Sequence, residues 1–241
     1  MKRQRLGQHY LADRRVVDSI VSSAGIRRGE RVLEIGTGRG ILSKELAGLG
    51  ASFEAYEIDP ENHAATLEAL EGAEATVRLG DAFAAEPSFD VLVSSLPYSR
   101  SADFIEWIAR VPYSRAVVLL QADFVAKVTA VPGSRGYRAV SAITQISSHV
   151  AVLAMVPRGA FTPPPKVGSA LVSFKPSRRM TRGEVALVKR LFSLRRREAA
   201  SAAATLGMPS PDILLAKRRV YTLSPDEVMA ACGFEGTAPA P

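Results

Sequence analysis

Arg31-Val-Leu-Glu-Ile-Gly-Thr-Gly-Arg-Gly40 is the stretch that decides how this chain folds. Arg31–Ile35 has the apolar, partly β-branched make-up of a strand. Glycine then recurs at 36, 38 and 40, and helical apolar spacing takes over from Ile41 to Leu49. A strand, a glycine turn and a helix in that order open a parallel α/β sheet, because parallel strands need a crossover between them. The glycines let the backbone turn tightly and approach a ligand at the strand's C-terminal end. Their spacing is G-x-G-x-G, not the G-x-G-x-x-G of a dinucleotide fingerprint. That argues for a nucleoside ligand without a pyrophosphate.

The alternation continues outward from this unit. Residues 13–24 have helical spacing with Gly25 as a stop. Ala51–Ile58, Thr76–Leu79, Val91–Ser94 and Ala116–Gln121 read as strands. Pro60–Leu70, Ser101–Ala109 and Ala122–Val131 read as helices. His149–Val156 and Val167–Phe174, joined through Phe161-Thr-Pro-Pro-Pro165, read as an antiparallel hairpin at the sheet edge. The expected fold is therefore α/β, a Rossmann-like sheet with helices on both faces. After Pro176 the pattern becomes helical. Thr181-Arg-Gly-Glu184 and Ser224-Pro-Asp-Glu227 are capping boxes, the first opening a helix that can run to Gly207. The expected division is residues 1–176, a helical module at 177–235, and a disordered tail at 236–241.

Composition narrows the function classes. The chain has 241 residues, 47% of them hydrophobic, and one cysteine, Cys232, which reads as a small buried hydrophobe. No intramolecular disulfide is possible, and no Cys/His spacing suits a metal. No apolar run is long enough to span a membrane, so a cytoplasmic monomer is expected. The net charge is +7, and it is concentrated at the two ends. Residues 178–219 carry eleven Lys/Arg against three Asp/Glu, and residues 1–15 carry five against one. Clustered positive charge suits a polyanion such as nucleic acid, although it also suits a solvated helix face.

Three acidic or small polar positions follow successive strands. Glu57 ends the second, where a carboxylate can grip ribose hydroxyls. Asp81 follows the third and can accept from an adenine amino group. Phe89-Asp-Val-Leu-Val-Ser-Ser-Leu-Pro-Tyr98 carries the fourth strand into Ser95-Leu96-Pro97-Tyr98. Proline stiffens that turn and removes a donor, so its oxygens are available to an exposed amine while the Tyr98 ring can stack on a flat base. Together with the glycine loop these positions point to S-adenosylmethionine. A nicotinamide dehydrogenase shares the fold class but not the glycine spacing.

Four more segments make the resemblance specific: Leu6-Gly-Gln-His-Tyr-Leu11, Phe161-Thr-Pro-Pro-Pro-Lys-Val-Gly-Ser-Ala170, Leu191-Phe-Ser-Leu-Arg-Arg-Arg197 and Leu223-Ser-Pro-Asp-Glu-Val228. In order along nearly the whole chain, the sequence resembles the small-subunit ribosomal RNA adenine dimethyltransferases. The resemblance implies dimethylation of N6 on two adjacent adenosines near the 3′ end of that RNA, in a pre-ribosomal particle, with no DNA or membrane partner. It implies that His9, Leu11, Gly36, Gly38, Glu57, Asp81 and Ser95 bind the cofactor. Ser95, Leu96, Pro97, Tyr98 and Phe161 would form the target-adenine pocket, with Phe161 covering the far face of a flipped base. Arg195, Arg196, Arg197, Lys217, Arg218 and Arg219 would contact RNA phosphates. The family usually has Asn where this chain has Ser95. That departure keeps a second reading open, an RNA-binding assembly factor with weak activity. A third is a large-subunit rRNA adenine methyltransferase.

Overall fold

The structure is a computed structural model that describes residues 9–234. The first segment of the N-terminal motif, Leu6–Gln8, and the expected tail lie outside that range. By packing, the chain divides into two compact units. One holds the residues up to Phe104, Pro112–Asp123 and Ala151–Lys175. The other holds Ile105–Val111, Phe124–Val150 and the residues from Pro176 onward.

The first unit is built on the sheet. A short strand β1 (Tyr10–Leu11) precedes helix α1 (Arg14–Ala24). Then β2 (Arg31–Ile35), α2 (Ile41–Ala47), β3 (Ser52–Glu57), α3 (Pro60–Ala69), β4 (Ala75–Leu79) and β5 (Val91–Ser95) follow. Helix α4 (Ser101–Ile108) leads to β6 (Arg115–Gln121) and α5 (Ala122–Val128), and later come α6 (Ala139–Ser147), β7 (Ser148–Val156), β8 (Phe161–Thr162) and β9 (Ser169–Pro176). Among the described residues the main sheet has the order β4-β3-β2-β5-β6-β9-β7. The pairs β2–β3, β3–β4, β2–β5 and β5–β6 are parallel, whereas β9 lies antiparallel to β6. The late hairpin therefore sits at the sheet edge, with its second strand on the inside.

Strand order reverses between β2 and β5, so a crevice opens above their carboxyl ends. The core beneath it is dry. Val32, Leu33, Val91, Leu92 and Val93 are almost fully buried, and each such side chain contributes about 1.5–3 kcal/mol relative to exposure. Helix α1 is fixed at both ends. The Asp13 carboxylate accepts from Arg15 N, and Gly25 closes the helix at φ 53°. Arg115 donates to the carbonyls of Ala24 (2.6 Å) and Gly25 (2.7 Å) and to both oxygens of Glu30. The Arg115 guanidinium holds the Glu30 carboxyl down at about 2. A second, two-stranded sheet pairs β1 with β8, matching Tyr10 to Thr162 and Leu11 to Phe161.

The second unit is helical. Helix α6 packs on α7 (Arg182–Ser193) and on α10 (Pro225–Ala231), with α8 (Ala199–Leu206) and α9 (Ile213–Ala216) between the latter two in sequence. Both capping boxes form, through Thr181 with Glu184 and Ser224 with Glu227. Cys232 is buried there, its thiol pushed up to about 12 chiefly by desolvation. The expected continuous helix from Thr181 to Gly207 is broken at 194–198. Two backbone hydrogen bonds to another segment, Ala199 N to Arg218 O (2.8 Å) and Val220 N to Arg197 O (3.0 Å), draw the chain out of helical geometry. Helix α6, unmarked by a conventional cap in the sequence, starts where Arg138 N donates to Ser141 Oγ at 2.9 Å.

Candidate functional site

The glycine loop lines a cleft of about 850 Å³, counted to its open mouth, above β2, β3 and β5. That size suits one nucleoside-like ligand. Gly36 N donates to Tyr56 O (2.8 Å), and Gly38 N donates to the Glu57 carboxylate (2.9 Å). The other Glu57 oxygen accepts from Asp59 N at 2.9 Å. Gly36 and Gly38 both have positive φ, 76° and 57°. A Cβ on Gly38 would lie 3.2 Å from the Tyr10 ring, and one on Gly36 would lie 3.4 Å from Pro97 Cδ. The loop is thus a cradle that side chains would fill. Tyr10 forms one wall, its hydroxyl donating to Asn62 Oδ1 (3.2 Å) and the Arg39 guanidinium lying 5.0 Å from its ring centre.

Glu34, the last acidic residue before the loop, is 1% exposed, yet it lines the cleft. One of its oxygens has no hydrogen-bond partner within the protein. Desolvation pushes its carboxyl up to about 8, the Glu57 charge adds to the rise, and the Ser43 hydroxyl, outside full hydrogen-bond geometry, opposes it. A buried carboxyl with an idle acceptor is costly unless a donor or cation meets it. A ligand carrying an ammonium and a sulfonium supplies such a partner, so cleft and S-adenosylmethionine fit.

The expected cofactor residues gather here. His9, Leu11, Gly36, Gly38, Glu57 and Ser95 all line the cleft. Asp81 stands behind the wall. One of its oxygens accepts from Phe83 N (2.9 Å) and the other from Arg100 Nη2 (2.9 Å), and it is Arg100 that lines the cleft. On the target side, Ser95 and Pro97 face the cleft and Leu96 is buried beneath. The Tyr98 hydroxyl is 2.6 Å from Ser169 Oγ, and burial raises its phenol above the ordinary value. The His9 ring lies 5.6 Å from the Tyr98 ring and is anchored by a 2.8 Å contact from Nδ1 to Pro163 O. Phe161 is not brought to this wall. It is 3% exposed and belongs to the core cluster with its register partner Leu11. Strand alternation explains this, since pairing with β1 turns the ring inward.

A family model described as ribosomal RNA adenine dimethylase matches residues 1–206. The chain belongs to the ribosomal RNA adenine dimethylase family. It is 34% identical over 237 residues to the probable ribosomal RNA small subunit methyltransferase A of Pyrococcus abyssi, covering 93% of this chain and 88% of that one. It is 36% identical over 181 residues to the ribosomal RNA small subunit methyltransferase A of Syntrophotalea carbinolica, covering 71% and 68%. Among solved structures, a dimethyladenosine transferase from Plasmodium falciparum shares the fold at a TM-score of 0.77, with 22% identity over 92% of this chain and 96% of that one.

The second unit of this dimethylase carries the expected cationic residues on a laced framework. Gly133 N donates to Tyr221 O (2.8 Å) and Tyr221 N to Arg195 O (3.0 Å). Residues 133–138, 195–198 and 218–221 therefore lie side by side. Arg218 is committed to Glu227 and to Thr222 O, and Arg197 donates to Thr205 Oγ1 at 3.2 Å. Arg195 and Arg196 have no carboxylate partner among the described residues. Burial first, then the charges of Arg138 and Arg196, lower the Arg195 guanidinium from its ordinary value. Arg135 and Arg138 were not singled out in the sequence, because they sit in a loop some 60 residues from Arg195 and join it only through these backbone bonds. Glu34, Tyr10 and Arg100 were also missed as cleft residues. Of these, Glu34 alone carried a signal, by its place immediately before the glycine loop.

Proposed function

We propose that this dimethylase transfers methyl groups from S-adenosylmethionine to N6 of two adjacent adenosines near the 3′ end of small-subunit ribosomal RNA, two to each base. Its relatives named for small-subunit methylation support the substrate. The observation that carries the reading is the direct contact of the two half-sites, with the Gly36 loop packed on Pro97 of the Ser95–Tyr98 turn. A cofactor cradle and a base-binding turn in van der Waals contact are what a direct transfer requires.

When bound, S-adenosylmethionine supplies an electrophilic methyl on a sulfonium, so no strong base is needed. Glu57 would hold the ribose hydroxyls with its remaining lone pairs, and the glycine loop and Glu34 would hold the methionine portion. Asp81 marks the adenine end. The exocyclic amine of the target adenosine is a poor nucleophile because its lone pair is delocalised into the ring. Ser95 Oγ and the Leu96 carbonyl would accept its two hydrogens and turn the lone pair out of the ring plane, while Tyr98 stacks on the base. Positioning of this kind contributes at best roughly 7–11 kcal/mol to lowering a barrier. Phe161 would support the site indirectly, by holding β1 and hence Leu11 and His9 in place. Arg195, Arg196, Arg197, Lys217, Arg218 and Arg219, joined by Arg135 and Arg138, would bind RNA phosphates on an assembling small subunit in the cytoplasm.

The experiment is to incubate the protein with labelled cofactor and small subunits from cells lacking this modification, then map methylated adenosines by mass spectrometry. Paired dimethyladenosines near the 3′ end are expected. Label on large-subunit RNA, or on neither, overturns the proposal.

A further inference from the structure

Arg100 has no place in the scheme above, yet it is one of the most thoroughly anchored side chains around the cleft. It ends the 3-10 turn Tyr98–Arg100, where its N–H donates to Pro97 O at 2.9 Å. It therefore shares the rigid turn that presents Ser95–Tyr98. Its guanidinium makes a 2.9 Å ion pair with Asp81 Oδ2 and another of 2.9 Å with Asp103 Oδ2. Its carbon centre lies 4.8 Å from the Phe83 ring centre. Both oxygens of Asp81 already accept a hydrogen bond, and Asp81 is absent from the cleft wall while Arg100 is part of it.

We propose that Arg100 contacts the adenine ring of the cofactor, and that Asp81 acts mainly by positioning Arg100. This rests on the reading that the cleft takes S-adenosylmethionine. Adenine offers several ring-nitrogen acceptors and a single donor group, the amine. A guanidinium has five N–H donors and a flat face that stacks on aromatic rings. Asp81 and Asp103 occupy some of those donors and set the plane, while the rest of the group faces the cleft. A lone carboxylate can meet only the amine. The Asp81–Arg100 pair can also meet ring acceptors or the ring face. Lysine cannot substitute, because an ammonium has neither the planar fork nor the stacking surface.

Calorimetric titration with S-adenosylhomocysteine tests this without any methyl transfer. The native chain must bind. If it does not, the cofactor reading itself fails, which is a separate result. Given binding, Arg100→Gln is expected to weaken affinity roughly tenfold, close to 1.4 kcal/mol, and Arg100→Lys to recover little of it. Asp81→Ala is expected to weaken affinity comparably in the native chain, but less than about twofold on the Arg100→Gln background, because the two effects share one contact. Circular dichroism on each variant checks that it is folded, and Arg100→Lys keeps the charge if Arg100→Gln does not fold. Unchanged affinity in the folded Arg100 variants overturns the proposal. So does an Asp81→Ala loss of equal size on both backgrounds, because the carboxylate would then meet adenine on its own.

Discussion

Gly36 and Pro97 touch: a Cβ placed on the glycine would lie 3.4 Å from the proline Cδ, and the glycine holds φ at 76°. One residue belongs to the cofactor loop and the other to the target-base turn, so a change at Gly36 acts on both. Gly36→Ala is expected to reduce both cofactor affinity and methyl transfer. Gly25→Ala offers a control, because Gly25 also has positive φ but open space around its Cβ position. That variant should lose about 1–2 kcal/mol of stability from backbone strain and keep its cofactor affinity. Calorimetry and thermal melts on the two variants separate the outcomes.

Glu34 links stability to pH. Its carboxyl titrates at about 8 in the folded protein against a model value of 4.5. The folded state thus holds this proton more tightly than the unfolded chain. The stabilisation is complete below about 4.5 and is lost as pH rises through 8. Glu34→Gln removes the titration while keeping the shape. The melting temperature of the variant minus that of the native protein should therefore increase from pH 6 to pH 9. A constant difference would show that Glu34 is already ionised at pH 6.

Ser95 stands where the family usually has asparagine. Its hydroxyl lines the cleft as a small acceptor, so Ser95→Ala should lower kcat about tenfold or more, in line with loss of one positioned hydrogen-bonding group, with little change in KM for the cofactor. Ser95→Asn restores an acceptor and should return kcat to within a few-fold of native. Steady-state kinetics on small-subunit particles reads both effects.

Arg135 and Arg138 join Arg195 and Arg196 through the lacing of three chain segments. Replacing Arg135 and Arg138 with alanine should weaken RNA binding and reduce the slope of log affinity against log salt by roughly 1. Filter binding at several salt concentrations measures it. An unchanged slope would mean that these two guanidinium groups contact no phosphate.

Much of the cleft was legible because its signals are local. The period of Arg31–Ile35, the glycines that follow, and the acid ending β3 each lie within a few residues of the feature they create. Phe161 was misplaced for the opposite reason. Its direction is set by pairing with Leu11, and no window of sequence contains both. Helix α6 was invisible because Ala139–Ser147 is rich in β-branched and small residues, and its cap is a backbone N–H meeting Ser141. The break at 194–198 is likewise imposed from outside, by residues 218–220. Membership of Ile105–Val111 and Phe124–Val150 in the second unit is decided by packing, which leaves no mark on composition.

The pairing of Tyr10–Leu11 with Phe161–Thr162, together with the His9 contact to Pro163 across 154 residues, has a consequence for synthesis. The wall that carries His9, Tyr10 and Leu11 cannot be set until residue 163 has left the ribosome. Up to that point a nascent chain has its glycine loop and its Ser95–Tyr98 turn but no closed cleft between them. Since domains generally fold as units during synthesis, cofactor capture becomes a late event in the birth of this molecule, well after the sheet's parallel strands have emerged.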